Sequence, residues 1–156
     1  MRTVQFHPSH WLLYTLQAAS MSAAPTIAKQ LLGIAPYFLV REVVKAAEYY
    51  RDALGFSYSQ FWGVPPCFCM PCRDGVIIML SQTRDASIIR PNAKARRDES
   101  WDAYVWVKDA DVLYAEVKPR GAIIAYEPVL QEEYGNREFG VRDLDGYLLA
   151  FGSDAQ

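Results

Sequence analysis

Val40–Phe56 reads VREVVKAAEYYRDALGF. Val43, Ala47, Tyr50 and Leu54 recur at helical spacing and form one apolar stripe. Gly55 follows the last apolar position as a helix stop. The reading is a helix over Glu42–Leu54. Just before it, Ile34–Val40 (IAPYFLV) is rich in β-branched and aromatic residues and predicts a strand. Just after it come a strand at Phe56–Trp62, another at Cys67–Cys72 weakened at its end by Pro71, a tight turn at Asp74-Gly75 and a strand at Val76–Ser81.

The same order then recurs. Trp101–Val107 (WDAYVWV) predicts a strand, Asp109 an N-cap, and Ala110–Val117 a helix with the stripe Ala110, Leu113 and Val117. Pro119 and Gly121 end that helix, and short strands follow at Ala122–Tyr126 and Arg137–Val141. Asp145-Gly146 is a second tight turn, and Tyr147–Phe151 (YLLAF) is a closing strand. Laying Ile34 on Trp101 pairs Tyr37 with Tyr104, Val40 with Val107 and Glu42 with Asp109. Laying Asp74-Gly75 on Asp145-Gly146 pairs Met79 with Ala150. Recurrence of element order and turn chemistry marks an internal duplication of a β-α-β-β-β unit. Residues 1–30 form an N-terminal extension, and the domain spans 31–153, with units at about 31–82 and 101–153. The connector Thr83–Ser100 (TRDASIIRPNAKARRDES) reads either as a solvated linker or as a mobile loop over a cleft.

Composition bounds the function. The chain has 156 residues, 51% hydrophobic and 22% charged, which suits one α+β domain with a proper core. A formal charge of −2 argues against a nucleic-acid or anionic-membrane surface. No apolar run is long enough for a membrane span. Three cysteines at 67, 69 and 72 do not make a disulfide framework, which fits a reducing, cytoplasmic setting. They lack the second cluster that a structural zinc site needs, and read as strand residues packed locally. Trp11–Ala19 (WLLYTLQAA) faintly resembles a signal peptide, but only Arg2 precedes it as a basic residue. A docking helix, or an extension upstream of a start at Met21, fits better. His7 and His10 in this tail read as incidental.

Three motifs in order carry a family resemblance. Val40–Phe56 resembles the first helix of the vicinal oxygen chelate superfamily, which holds glyoxalase I, extradiol dioxygenases, methylmalonyl-CoA epimerase and the bleomycin resistance proteins. Val107–Gly121 (VKDADVLYAEVKPRG) resembles its second helix, and Tyr134–Phe151 (YGNREFGVRDLDGYLLAF) its closing hairpin. The resemblance implies two β-α-β-β-β units whose sheets curl into a cup with helices outside, the glyoxalase/bleomycin resistance fold. It also implies where metal-dependent members carry their ligands, on the opening and last strand of each unit. Here those positions hold Ala35, Met79, Asp102 and Ala150. A catalytic divalent metal needs about three His or carboxylate ligands. Methyl groups donate nothing, and a thioether is a poor partner for a hard cation. The expectation is therefore no metal and no other cofactor.

Strand alternation then orients the rest. If Asp102 faces the cup, so do Tyr104 and Trp106, while Ala103, Val105 and Val107 pack under the helices. Ala35, Tyr37 and Leu39 face the cup from the first strand, and Leu148 and Ala150 from the last. Such a lining suits a ligand pocket or a filled core. Trp62, Trp101 and Tyr134 sit at rims, where they would stack on a flat or sugar-bearing ligand or meet a dimer partner. Asp102 and Glu138 are candidate anions for a cationic ligand; the alternative is a solvated carboxylate or a pair with Arg137 or Arg142. Arg137 would otherwise anchor an anionic ligand. No nucleophile motif, P-loop or dinucleotide fingerprint is present, so no catalytic residue is assigned. The resulting expectation is a metal-independent small-molecule-binding protein of the bleomycin resistance type. It would sequester a drug-like aromatic or cationic compound, with a role in antibiotic resistance, as a homodimer without nucleic-acid or membrane partners. The competing readings are a metal-dependent glyoxalase-, epimerase- or dioxygenase-type enzyme with displaced ligands, and a scaffold domain with a filled cup.

Overall fold

The computed structural model describes residues 30, 32–98 and 100–155. The compact unit runs Ile34–Gln156. The N-terminal extension, with the 11–19 stretch and both histidines, lies outside the described residues apart from residue 30. Among the described residues, no helix is long and apolar enough to cross a membrane.

The first unit contains β1 (Tyr37–Val40), α1 (Val43–Asp52), β2 (Phe61–Trp62), β3 (Phe68–Cys69), β4 (Cys72–Arg73), β5 (Val76–Ile77) and β6 (Met79–Gln82). Its sheet has the order β1-β6-β3-β2, and β4 and β5 form a separate hairpin. After a short helix α2 (Asn92–Arg96), the second unit contains β7 (Ala103–Trp106), α3 (Ala110–Val117), β8 (Ile123–Gln131), β9 (Asn136–Arg142) and β10 (Leu148–Asp154), ordered β7-β10-β9-β8. In each sheet the opening strand pairs in parallel with the last one, which pairs antiparallel with the next. The duplication extends to register. Tyr37 lies opposite Met79 in the first sheet, and its counterpart Tyr104 lies opposite Ala150 in the second.

The helix starts repeat as well. The Asp109 carboxylate accepts from Val112 N at 3.0 Å, as its sequence position predicts. Glu42 makes no such cap. Instead Gln82 on β6 accepts the first amide of α1, Val43 N, at 2.9 Å, and the equivalent Ser153 on β10 accepts Ala110 N at 3.2 Å. Each helix is thus pinned by the last strand of its own unit, which satisfies an otherwise orphaned donor.

Val43, Ala46, Ala47 and Tyr50 of α1 are buried, so the apolar stripe packs inward. Together with Phe38, Val40, Leu80, Val117, Phe139, Leu149 and Phe151 it forms one core spanning both units. Phe38 and Tyr147 stack across the junction with ring centroids 4.2 Å apart. The Tyr49 hydroxyl donates to Arg142 O at 2.8 Å and accepts from Ile123 N at 3.0 Å; burial pushes its ionisation up to about 12. Arg41 pairs with Asp145 at 2.7 Å, and Arg73 with Glu116 at 2.7 Å.

Three sequence expectations need correction. The strand expected at Phe56–Trp62 is reduced to Phe61–Trp62, with Ser57 in an isolated bridge to Cys72, and Cys67–Cys72 breaks at Met70-Pro71. The short strand expected at Ala122–Tyr126 continues to Gln131; Pro128 is accommodated because β8 is an edge strand with a register irregularity between Tyr126 and Val129. Most described residues of the connector are exposed, and its end at Asp98 and Ser100 borders a cleft. It holds a 3-10 turn at Ala86–Ile88 and α2, with Ile89 and Ala93 buried.

Asp143 yields a pH prediction. It is buried, and Tyr50 O–H and the amides of Asp145 and Tyr147 all donate to it. Burial nevertheless pushes its carboxyl up to about 6. The folded state therefore holds this proton more tightly than the unfolded chain, whose carboxyl titrates near ~4. Stability from this group is present below about pH 4 and lost as pH rises to about 6, on the order of 2–3 kcal/mol. In paired chemical denaturations from about pH 7 to about pH 4, the wild type should gain stability relative to Asp143→Asn. An unchanged difference would show that Asp143 is not shifted.

Candidate functional site

The second sheet builds a trough. One row across it reads Tyr126–Gly140–Ala150–Tyr104, and the next reads Val129–Glu138–Gly152–Trp106. Side chains in one row share a face. Large rings therefore stand on the two outer strands, and glycine or alanine fills most of the centre. The glycines are required by contact. A Cβ on Gly140 would lie 2.2 Å from the Tyr126 ring, and one on Gly152 would lie 1.8 Å from Tyr104 Oη. The cleft over this face has a volume of about 720 Å³ and is lined by Trp101, Tyr126, Val129, Gln131 and Glu138, with Asp98 and Ser100 at the connector.

Glu138 is fully buried. Its Oε1 accepts from Tyr126 O–H at 3.2 Å and Gln131 Nε2 at 3.1 Å, and its Oε2 accepts from Tyr134 O–H at 3.1 Å. All three donors are uncharged. Trp101 Nε1 in turn donates to Tyr126 Oη at 3.1 Å. Burial, followed by the Glu138 charge, raises the ionisation of Tyr126 and Tyr134, so both remain neutral donors. Burial also raises that of Tyr104, whose hydroxyl accepts from Asn136 Nδ2 at 3.1 Å.

The expected site residues fall into four groups. Tyr104, Trp106, Tyr134 and Glu138 lie on or beside the trough; Tyr104 and Trp106 rings are 4.9 Å apart, and Trp106 is 67% exposed. Tyr37 and Trp62 belong to the other sheet and meet through Phe68, at 6.3 and 5.5 Å, while Met79 and Leu39 are half-buried beside them. Arg137 points away from Glu138, as alternation requires, and pairs with Asp111 on α3 at 2.5 Å. Asp102 is committed to backbone: its Oδ1 accepts from Asn92 N and its Oδ2 from Leu148 N, both at 2.8 Å. It ties the start of α2 to β10. Local sequence does not single out Tyr126 and Gln131 as site residues, because only the pairing of β8 with β9 brings them to Glu138. Sequence reasoning missed Gly140 and Gly152, although small residues at alternate strand positions are a readable sign of a ring lying across a sheet.

The positions that carry metal ligands in metal-dependent members do not fit a divalent cation. Ala35, Met79 and Ala150 offer no hard donor, and both oxygens of Asp102 already serve amides. Among the described residues, no three His, Cys, Asp or Glu side chains come together.

Adding a Cβ at Gly152 tests its close contact with Tyr104. Gly152→Ala should destabilise the domain by about 1–3 kcal/mol in chemical denaturation. The double variant Gly152→Ala/Tyr104→Phe should cost less than the sum of its parts, since the nearest clash is with the hydroxyl. Strict additivity would remove the proposed contact.

No protein-family model matches the chain, and no curated protein matches it. Solved structures do. TioX from Micromonospora sp. ML1 superposes with a TM-score of 0.60 at 20% identity, over 77% of this chain and 96% of that one. A glyoxalase/bleomycin resistance protein/dioxygenase from Alicyclobacillus acidocaldarius gives 0.59 at 16% identity, over 79% and 91%. The bleomycin-binding protein of Streptomyces verticillus, solved with copper(II)-bleomycin, gives 0.53 at 21% identity, over 82% and 98%. With the duplicated units and their matching registers, these likenesses show that the chain has the glyoxalase/bleomycin resistance fold.

Proposed function

We propose that this chain is a metal-independent binding protein that sequesters a drug-like aromatic or cationic small molecule in the trough of its second sheet. The observation that carries the reading is the trough itself. The Trp101 and Tyr126 rings, Val129, Gln131 and the buried Glu138 carboxylate border one cleft, with the Tyr126 ring laid over Gly140 of the same sheet. A mostly apolar concavity with few polar groups is the usual form of a small-molecule site. The likeness to a bleomycin-binding protein supports small-molecule binding, and a role in antibiotic resistance in the cytoplasm is part of the same proposal.

The working form in this reading is a homodimer. The residues that line the trough all come from the connector and second unit. Tyr37 at 58% exposure, Trp62 at 36% and Trp106 at 67% leave a large aromatic surface outside the core. A second copy would supply the missing wall and cover these rings, and aromatics are enriched in such interfaces.

Two measurements test this. Elemental analysis of the purified chain, before and after incubation with zinc, nickel and iron, should show no stoichiometric metal; a bound equivalent would overturn metal independence. A thermal-shift panel of planar aromatic and cationic compounds should raise the melting temperature for at least one member. That shift should be lost in Trp101→Ala. A shift retained in that variant would place the binding elsewhere.

A further inference from the structure

Resting on that reading of the trough, we infer that its occupant is a planar, charge-delocalised cation, held against the π faces of Trp101 and Tyr126, with Glu138 as a counter-charge it never touches. The two rings line the cleft. They donate in series, Trp101 Nε1 to Tyr126 Oη and Tyr126 O–H to Glu138 Oε1. A chain of hydrogen bonds ending on an anion polarises each member toward the charge it serves. Electron density is pushed back into the donor rings, which deepens the negative face that attracts a cation.

Accessibility then selects the kind of cation. Glu138 exposes no surface, and its oxygens already accept from Tyr126, Gln131 and Tyr134. With no carboxylate surface exposed, a ligand N–H would reach it only if the side chains packed over it moved aside. A compact ammonium is strongly hydrated and would lose its water without gaining that bond. A delocalised cation is weakly hydrated and needs only the ring faces, with the buried charge acting through them.

Neighbouring charges leave this role to Glu138. Asp98, at the cleft wall, accepts from Arg96 at 3.0 Å and from Ser100 N at 2.8 Å. Arg137 is turned to Asp111. Arg142 shares a strand face with Glu138 but stands about 13 Å along β9.

The test compares two probes with one ring system. The full chain is titrated by fluorescence with 9-aminoacridine, a cation at neutral pH, and with acridine, which is neutral in mildly alkaline buffer. The wild type should bind the cation about tenfold more tightly. Glu138→Gln should abolish the preference, lowering affinity for the cation about tenfold more than affinity for acridine. Tyr126→Phe, which keeps the ring and cuts the link, should weaken the cation several-fold and acridine little. It carries the test if thermal melts show that Glu138→Gln does not fold. Equal binding of both probes by the wild type, or a preference that survives in the folded variants, overturns the cation inference and leaves the trough as a binding site. Failure of both probes to bind the wild type removes the trough as a site for flat molecules, and the inference falls with it.

Discussion

The rest of this structure depends on the stacking of Phe38 on Tyr147. The rings are 4.2 Å apart and nearly parallel, at 7°. The helix-covered faces of both sheets share one core, which runs through both units. The stack brings the opening strand of the first unit onto the turn before the last strand of the second. Around it gather Tyr50 on Asp143, Tyr49 on Arg142 O and Ile123 N, and Arg41 on Asp145. These polar contacts satisfy the turn over 143–147 where it enters the junction, so closing the core leaves few polar groups unpaired. With the helix-covered faces used for folding, the opposite face of the second sheet is left to form the trough.

The two carboxylates singled out from sequence have different roles, and chemistry alone does not separate them. Asp102 accepts two backbone amides and acts as a clamp between α2 and β10. Glu138 accepts only side-chain donors from β8 and the β8–β9 turn, beneath the cleft. Burying a carboxylate is costly unless its lone pairs are served. Glu138 meets that condition without a cationic partner among its donors, whereas Arg73, Arg120 and Arg137 each serve an acidic group. A buried anion satisfied by neutral groups keeps its field available to whatever enters the cleft.

The internal repeat has diverged unequally. The bond from the last strand to the helix start and the strand registers are kept in both units, with Gln82 and Ser153 at matching places and Tyr37 and Tyr104 opposite Met79 and Ala150. The floor is not kept. Met79 and Ser81 in the first unit correspond to Ala150 and Gly152 in the second, so only the second sheet has the space that lets tyrosines lie across it. The conserved parts hold the fold, and the changed parts make the site.

The sequence by itself determined the helix after each opening strand, the repeat and the face on which residues of the opening and closing strands lie. Each of these is written in local periodicity, cap and turn chemistry, which act over a few residues. Tyr104 and Trp106 were legible as neighbours on one face for that reason. Only the tertiary structure decided what depends on distant partners. Asp102 became a clamp because Asn92 and Leu148 present their amides to it. Arg137 turned to Asp111 because α3 packs on that face of β9. The connector folded because Ile89 and Ala93 found apolar surface to bury. Glu138 acquired its setting from Tyr126 and Gln131, which lie 12 and 7 residues before it and reach it only after β8 pairs with β9 through an irregular register. Alternation can assign a side chain to a face, but the cross-strand register that selects its partner is set by the packing of the whole sheet.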